Sequence, residues 1–176
     1  MWAYKQWPLE HYASLVLGLI GAGRQVVLSG SGSPRDQSCI APLRGLGERH
    51  QVLDASGRLD FAQLRRLLEG ASLYIGPDTS VSHLAAATGT PTIALFGPTN
   101  PQRWAPWPAR SDQPIRFQRA ALRQGVGNVT VLQGGQACVP CGRAGCADHR
   151  DSRSDCLETM APGRVLQVAL ELAHSP

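Results

Sequence analysis

No apolar run in this sequence is long enough to cross a bilayer. The longest nearly apolar stretch, Tyr12 to Gly23, covers about 12 residues, against the roughly 20 that a membrane helix needs. Charged residues are scarce at 17% and aromatic residues at 6%. With 43% hydrophobic residues the composition is globular, and an extended disordered chain is excluded. No block of Lys and Arg reaches the density of a nucleic-acid-binding arm. The 17 basic against 13 acidic side chains give +4, an excess that suits an anionic ligand without singling out nucleic acid. Five cysteines are an odd number, which fits a reducing compartment better than a disulfide framework. The 19 Gly and 13 Pro recur without a period, so collagen-like and simple repeat architectures are excluded. A length of 176 residues suits one ordinary domain with a core and is short for two.

What is present is an alternation of helix and strand signals. Leu9, Tyr12, Ala13, Val16, Leu19 and Ile20 follow helical spacing. Glu10 and His11 interrupt the approach to the apolar stretch, so it reads as an amphipathic helix and not as a leader peptide. The reading is therefore of a soluble, cytosolic chain. Pro8 stands at the first turn, where a missing N–H costs nothing, and the helix stops near Gly21 and Gly23. Short strands are expected at Gln25 to Ser29, Gln51 to Asp54, Ser72 to Gly76 and Pro91 to Phe96. Helices between them are expected at Pro34 to Leu46, at Asp60 to Glu69 with Asp60 as N-cap, and at Thr79 to Thr88. Strands separated by helices predict βαβ units, a parallel sheet and helices on both faces. Residues 98–114 read as an ordered loop rich in Pro, Trp and Arg, and Asn128 to Leu132 as a late strand. Gln133 to Asp155 has little periodicity, and Pro162 to His174 reads as a terminal helix. The division is a single domain: a βα core over 1–114, an irregular Cys-containing segment over 115–160, and the terminal helix over 161–176.

Four segments carry residues suited to chemistry. In Gly76-Pro77-Asp78-Thr79-Ser80-Val81-Ser82-His83 a strand ends and a helix begins. In open α/β sheets, ligands bind outside the carboxyl ends of the strands, and a helix start offers free N–H groups and partial positive charge to a phosphate. A well-capped helix carrying a hydrogen-bonded histidine is the alternative. Phe96-Gly97-Pro98-Thr99-Asn100 also follows a strand. Gly97 allows close approach of backbone to ligand, although a structural turn accounts for the same residues. Ser29 to Ser33 is a Gly/Ser loop without the Lys of a P-loop or full G-x-G-x-x-G spacing. Asp36, in the first turn of the next helix, is placed either to reach a ribose hydroxyl or simply to favour the helix dipole. Finally, Cys138-x-x-Cys141 is followed by Cys146 and Cys156. The count matches a structural zinc site, with His149 as a replacement ligand, but redox pairing and plain thiols remain open. Cys39 stands apart. A zinc-dependent nucleic-acid module is disfavoured because the tail offers only scattered Arg143, Arg150, Arg153 and Arg164.

The blocks YKQWPLEHYASL, VVLSGS and YIGPDTSVSHLAAATGTPTIALFGPTNPQRWAPW resemble glycosyltransferase family 9, the ADP-heptose:lipopolysaccharide heptosyltransferases, over about Tyr4 to Trp107. The CVPC-containing tail resembles tails in a subset of such proteins. The resemblance implies a bacterial GT-B enzyme of two Rossmann-like domains, with this chain as the carboxyl-terminal, donor-binding half. It implies that Lys5 contacts the donor diphosphate, Asp78 holds the sugar, and Thr79, Ser80 and Val81 present backbone N–H groups. His83 would lie beside the phosphates, Asp36 would take the ribose-binding place, and Leu59 would line the adenine pocket. The implied reaction is inverting transfer of heptose or a related sugar from an ADP-sugar to the lipopolysaccharide core, with no cofactor required. The implied place is the cytoplasm, peripherally at the inner face of the inner membrane. The acceptor would be held by an amino-terminal domain. The family's first donor-domain strand has no counterpart before Lys5, so the expected chain lacks that strand, is weakly stable alone and is catalytically inactive in isolation. A truncated nucleotide-binding or interaction module is the alternative reading.

Overall fold

A computed structural model describes residues 2–109, 111, 114 and 116–173. A short 3-10 turn, Ala3–Lys5, leads into helix α1, Leu9–Gly21. Then come β1 (Val26–Leu28), α2 (Pro34–Ile40), β2 (Val52–Asp54) and α3 (Phe61–Glu69). These are followed by β3 (Tyr74–Pro77), α4 (Ser80–Ala87), β4 (Thr92–Phe96) and α5 (Pro101–Trp104). The chain continues through β5 (Arg123–Val126), β6 (Val129–Gln133), α6 (Asp155–Glu158) and α7 (Pro162–Ala173). His174, the last residue of the expected terminal helix, lies outside the described residues, as do 110, 112 and 113 of the expected loop.

The expected βα alternation is present, but the sheet differs from a single parallel one in two ways. First, among the described residues β1 pairs only with β2, parallel, while the other strands form a separate sheet in the order β3-β4-β6-β5. Second, that sheet is mixed: β5 runs antiparallel to β6 with Gly125 opposite Thr130. A Gly127-Asn128 turn joins them, with Gly127 at φ +55°, the left-handed conformation that two-residue hairpin turns require. Helix α2 is also shorter than its sequence signal. It ends at Ile40 and tightens into a 3-10 turn, Ala41–Leu43, because Pro42 has no N–H to continue the α-helical ladder.

The central strands β4 and β6 are buried along their whole length, and alternate side chains serve two layers. Ile93 and Leu95 of β4 and Leu132 of β6 pack with Leu15 of α1 and Val165 and Val168 of α7. Ala94, Phe96, Val129 and Val131 point the other way, onto Ala86 of α4 and Phe117. A third cluster joins Val16 of α1 to Leu28, Ile40, Leu43 and Val52. Helix α1 therefore bridges both sheets. Asp60 caps α3 through a full capping box with Gln63. Strands β1 and β3 line the two sides of a cleft of about 1540 Å³. It extends from Arg24 and Ala71 at their amino ends to Ser31 and Thr79 at their carboxyl ends.

Candidate functional site

Parallel strands place their carboxyl ends on one rim. Three connections line the cleft there, with residues 29–31 after β1, 55 and 59 after β2, and 79 after β3; residues 97–100 follow β4, the strand beside β3. Thr79 is the N-cap of α4, with φ −144° and ψ 170°, and its hydroxyl makes no capping hydrogen bond. The N–H groups of Ser80 and Val81 stand in the first turn, where helix geometry supplies no partner. Ser82 faces inward instead, donating to the Pro77 carbonyl at 2.5 Å.

Asp78 is only 5% exposed. A carboxylate so placed needs a partner, and Lys5 supplies it, with Nζ 2.7 Å from Oδ2 and 3.4 Å from the Asp78 carbonyl oxygen. The short strap carrying Lys5 is itself held from the far end of the chain. The Ala3 N–H donates to the Arg150 carbonyl at 3.1 Å, and the Ser154 hydroxyl to the Tyr4 carbonyl at 2.7 Å. Trp7 is buried and its Nε1 donates to the Met160 carbonyl at 2.9 Å. The Arg150 guanidinium lies over the Trp2 ring at 4.1 Å, a cation–π contact.

Across the cleft, Asp36 closes the Gly/Ser loop. Its Oδ2 accepts from the Ser31 hydroxyl at 2.7 Å and from the Ser31 N–H at 3.0 Å. Partial burial works to raise the Asp36 pKa, but the Ser31 hydrogen bonds and the nearby Arg35 charge outweigh it and leave it below the ordinary carboxylate value. Asp54, held by Ser56 and Arg44, is lowered in the same way against the same opposing desolvation. Burial pushes the Tyr12 and Tyr74 hydroxyls up, so both lie beside the cleft as neutral groups.

The structure thus gathers most of the residues singled out from the sequence. Lys5 and Asp78 are in direct contact. Asp36, Leu59, Thr79, Ser80 and Val81 all line the one cleft. His83 is exposed on α4, one turn beyond Thr79. Gly97 is buried, and the space beside its Cα belongs to the chain itself: a Cβ there would meet Leu157 Cγ at 2.8 Å and Cys156 Sγ at 3.2 Å. Asn100 is committed to capping α5, accepting from the Gln102 N–H at 3.0 Å. The Thr99 hydroxyl is buried with no hydrogen-bond partner among the described residues.

Cys138, Cys141, Cys146 and Cys156 line one small cavity, about 90 Å³, beyond the ends of β4 and β6. His149 is exposed and does not line it. Among the described residues, no three His, Cys, Asp or Glu side chains converge on a position that could hold a metal ion. Burial first, then the neighbouring thiols of Cys141, Cys146 and Cys138, pushes the Cys156 thiol up to about 12.

Sequence reasoning missed the strap's anchors and also Gln133. This residue is 1% exposed, accepts from the Ala121 N–H at 3.2 Å and donates to the Thr99 carbonyl at 3.3 Å. A glutamine closing the apolar run Val129-Thr130-Val131-Leu132 was the available signal. The Ser154 and Arg150 contacts had none, being about 150 residues from Tyr4 and Ala3.

Comparison with known proteins follows the same residues. The model of glycosyltransferase family 9 (heptosyltransferase) matches residues 1–124. The chain is 31% identical over 121 residues to lipopolysaccharide heptosyltransferase 3 of Escherichia coli, covering 69% of this chain and 35% of that protein. It is 37% identical over 101 residues to lipopolysaccharide heptosyltransferase 1 of Pseudomonas aeruginosa, covering 57% and 27%. In fold it resembles the solved structure of E. coli ADP-heptose lps heptosyltransferase II, with TM-score 0.72 at 23% identity, covering 97% of this chain and 43% of that one. An E. coli heptosyltransferase solved with ADP gives TM-score 0.67 at 22% identity, covering 96% and 40%. The chain spans about a third of the length of these curated relatives and about two fifths of the solved chains.

Proposed function

The chain belongs to glycosyltransferase family 9, and on that premise we propose that it is the carboxyl-terminal, donor-binding half of an inverting transferase. Its donor would be ADP-heptose or a related ADP-sugar, and its acceptor the lipopolysaccharide core. The observation that carries this reading is the Lys5–Asp78 pair at the start of α4, on the rim of the sheet. It puts a cation, a buried carboxylate and a helix amino terminus within one small volume. A leaving nucleoside diphosphate develops negative charge, and fixed donors aimed at that charge lower the barrier.

When the donor enters, the Lys5 ammonium turns from Asp78 to the diphosphate. The Asp78 carboxylate is then free to accept from sugar hydroxyls, and the Ser80 and Val81 N–H groups face the phosphate oxygens. His83 stands one turn further along. Asp36 takes a ribose hydroxyl and Leu59 packs on the base. The acceptor hydroxyl attacks the anomeric carbon from the face opposite the departing ADP. The base taking its proton, and the acceptor's binding surface, lie on polypeptide outside these 176 residues. No resident cofactor enters the proposal. No described helix is long and apolar enough to cross a membrane, and peripheral attachment at the inner face of the inner membrane is proposed for the assembled enzyme.

The separation of β1 from β3 supports the finer description of the fold. The cleft runs the full length of both strands and is walled by apolar core side chains such as Leu15, Val16 and Leu28. One further parallel strand inserted there would join the two sheets. The same opening favours the second reading, a nucleotide-binding module inactive by itself. Thermal shift tests the first: ADP should raise the melting temperature of the wild-type chain, since a ligand binding only the folded state stabilises it, and should fail to do so for Lys5→Ala. An ADP shift of equal size in both proteins would remove the proposed role of Lys5. Sugar transfer by the chain alone would refute its inactivity in isolation.

A further inference from the structure

The segment between β6 and α6 is about 20 residues with no regular structure. Among the described residues, none of the three apolar clusters contains a side chain from 134–155. A stretch of that length without a core needs another source of order. Its cysteines are badly placed to be packing residues: Cys138, Cys141 and Cys146 are exposed, and only Cys156 is buried. Yet these four, and not the distant Cys39, line the same small cavity with Pro98, Ser154 and Asp155. The turns that bring them there are tight. Gly142 and Gly145 adopt φ +73° and +80°, and a Cβ on Gly145 would stand 2.6 Å from the Ser152 hydroxyl. The Asp155 N–H points at the Cys146 sulfur at 3.3 Å, the kind of contact that favours a thiolate over a thiol.

We propose that Cys138, Cys141, Cys146 and Cys156 are the ligands of a structural zinc ion that ties this segment to the ends of β4 and β6. Four thiolates at about 2.3 Å in a tetrahedron are a complete zinc shell. The sulfurs line the cavity without converging, so the ion draws the exposed Cys138, Cys141 and Cys146 in towards the fixed Cys156. Each Zn–S bond forms as its thiol proton passes to solvent, with no change of oxidation state. Because Arg150 and Ser154 of the same segment hold Ala3 and Tyr4, the ion also steadies the strap that presents Lys5. That last consequence rests on the donor-site reading; the metal site itself does not.

The test uses the full chain purified under reducing conditions without chelator. Elemental analysis should find about one zinc per chain, the content of a closed structural site. Cys138→Ser/Cys141→Ser should lose it and Cys39→Ser should keep it. Cobalt(II) added to the metal-stripped wild-type chain should give the intense thiolate charge-transfer and ligand-field bands of a tetrahedral tetrathiolate, a readout that needs no variant to fold. A zinc content near zero with all five thiols freely alkylated would overturn the site, as would a Cys138–Cys141 disulfide in the reduced sample. ADP titration of the same sample separates the two readings. Zinc with no ADP binding leaves the metal site standing and removes the donor site, while ADP binding without zinc does the reverse.

Discussion

Replacing Lys5 by Met keeps most of the side chain's length and removes its charge, leaving the Asp78 carboxylate buried without its cation. At 2.7 Å and an effective dielectric constant near 20, the lost attraction is ~6 kcal/mol before desolvation is considered. Part of that is offset, because the ammonium no longer has to be stripped of water. Breaking a buried pair by removing one partner typically costs about 3–5 kcal/mol. The Lys5 side chain is 20% exposed, so water reaches the pair and the expected cost is lower, about 2–3 kcal/mol. In a chain of this size that is a fall of roughly 5–10 °C in melting temperature. Urea denaturation of the wild type, Lys5→Met, Asp78→Asn and the double variant measures it as a cycle. The double variant should recover a good part of the loss, giving a coupling of about 1–3 kcal/mol. A Lys5→Met cost under about 0.5 kcal/mol, or four stabilities that simply add, would mean that the pair does not hold the strap to β3 and α4.

Asp60→Ala removes the side-chain half of the capping box on α3, the bond that Asp60 Oδ1 accepts from the Gln63 N–H at 2.8 Å, and should cost about 1 kcal/mol in denaturant titration; no loss would mean the cap is made only in passing. Asp36 and Asp54 have folded pKa values below the ordinary 3.8. Their contribution to stability is therefore fully present above that value and is lost as pH falls through the lower folded values. Amide exchange at Ser31 and Ser56 should accelerate, relative to the β4 amides, as pH falls below the ordinary 3.8; uniform protection of both regions would contradict this. The open cleft between β1 and β3 is expected to leave the chain weakly stable by itself. A cooperative melt well above about 50 °C for the bare chain would count against the account of the cleft.

The local parts of the fold were legible because their signals are local. Asp60 with Gln63 marks the start of α3, and the spacing of Leu9, Tyr12, Val16 and Ile20 marks α1. The sheet's organisation was less so. Arg-Gln-Gly-Val has no apolar alternation, and β5 exists because the Gly127 turn folds it against β6. Asp78 and its helix start were readable from the strand–turn–helix pattern. Lys5 was not, since an isolated lysine 73 residues away carries no pattern, and only the family resemblance pointed to it. Gly97 was read either as an approach for ligand or as part of a structural turn, and in the fold Leu157 occupies the position that a Cβ there would take. Such long-range matches are decided by packing between distant segments, which no window of sequence contains.

Calorimetric titration of ADP into the wild-type chain, Lys5→Ala and Asp78→Ala tests the central claim most directly. The account predicts micromolar to millimolar binding by the wild type, worth roughly 4–8 kcal/mol, and weaker binding when Lys5 is removed. No heat of binding from a sample shown to be folded would mean that the Asp78–Ser82 turn is scaffold, and the donor site would have to be given up.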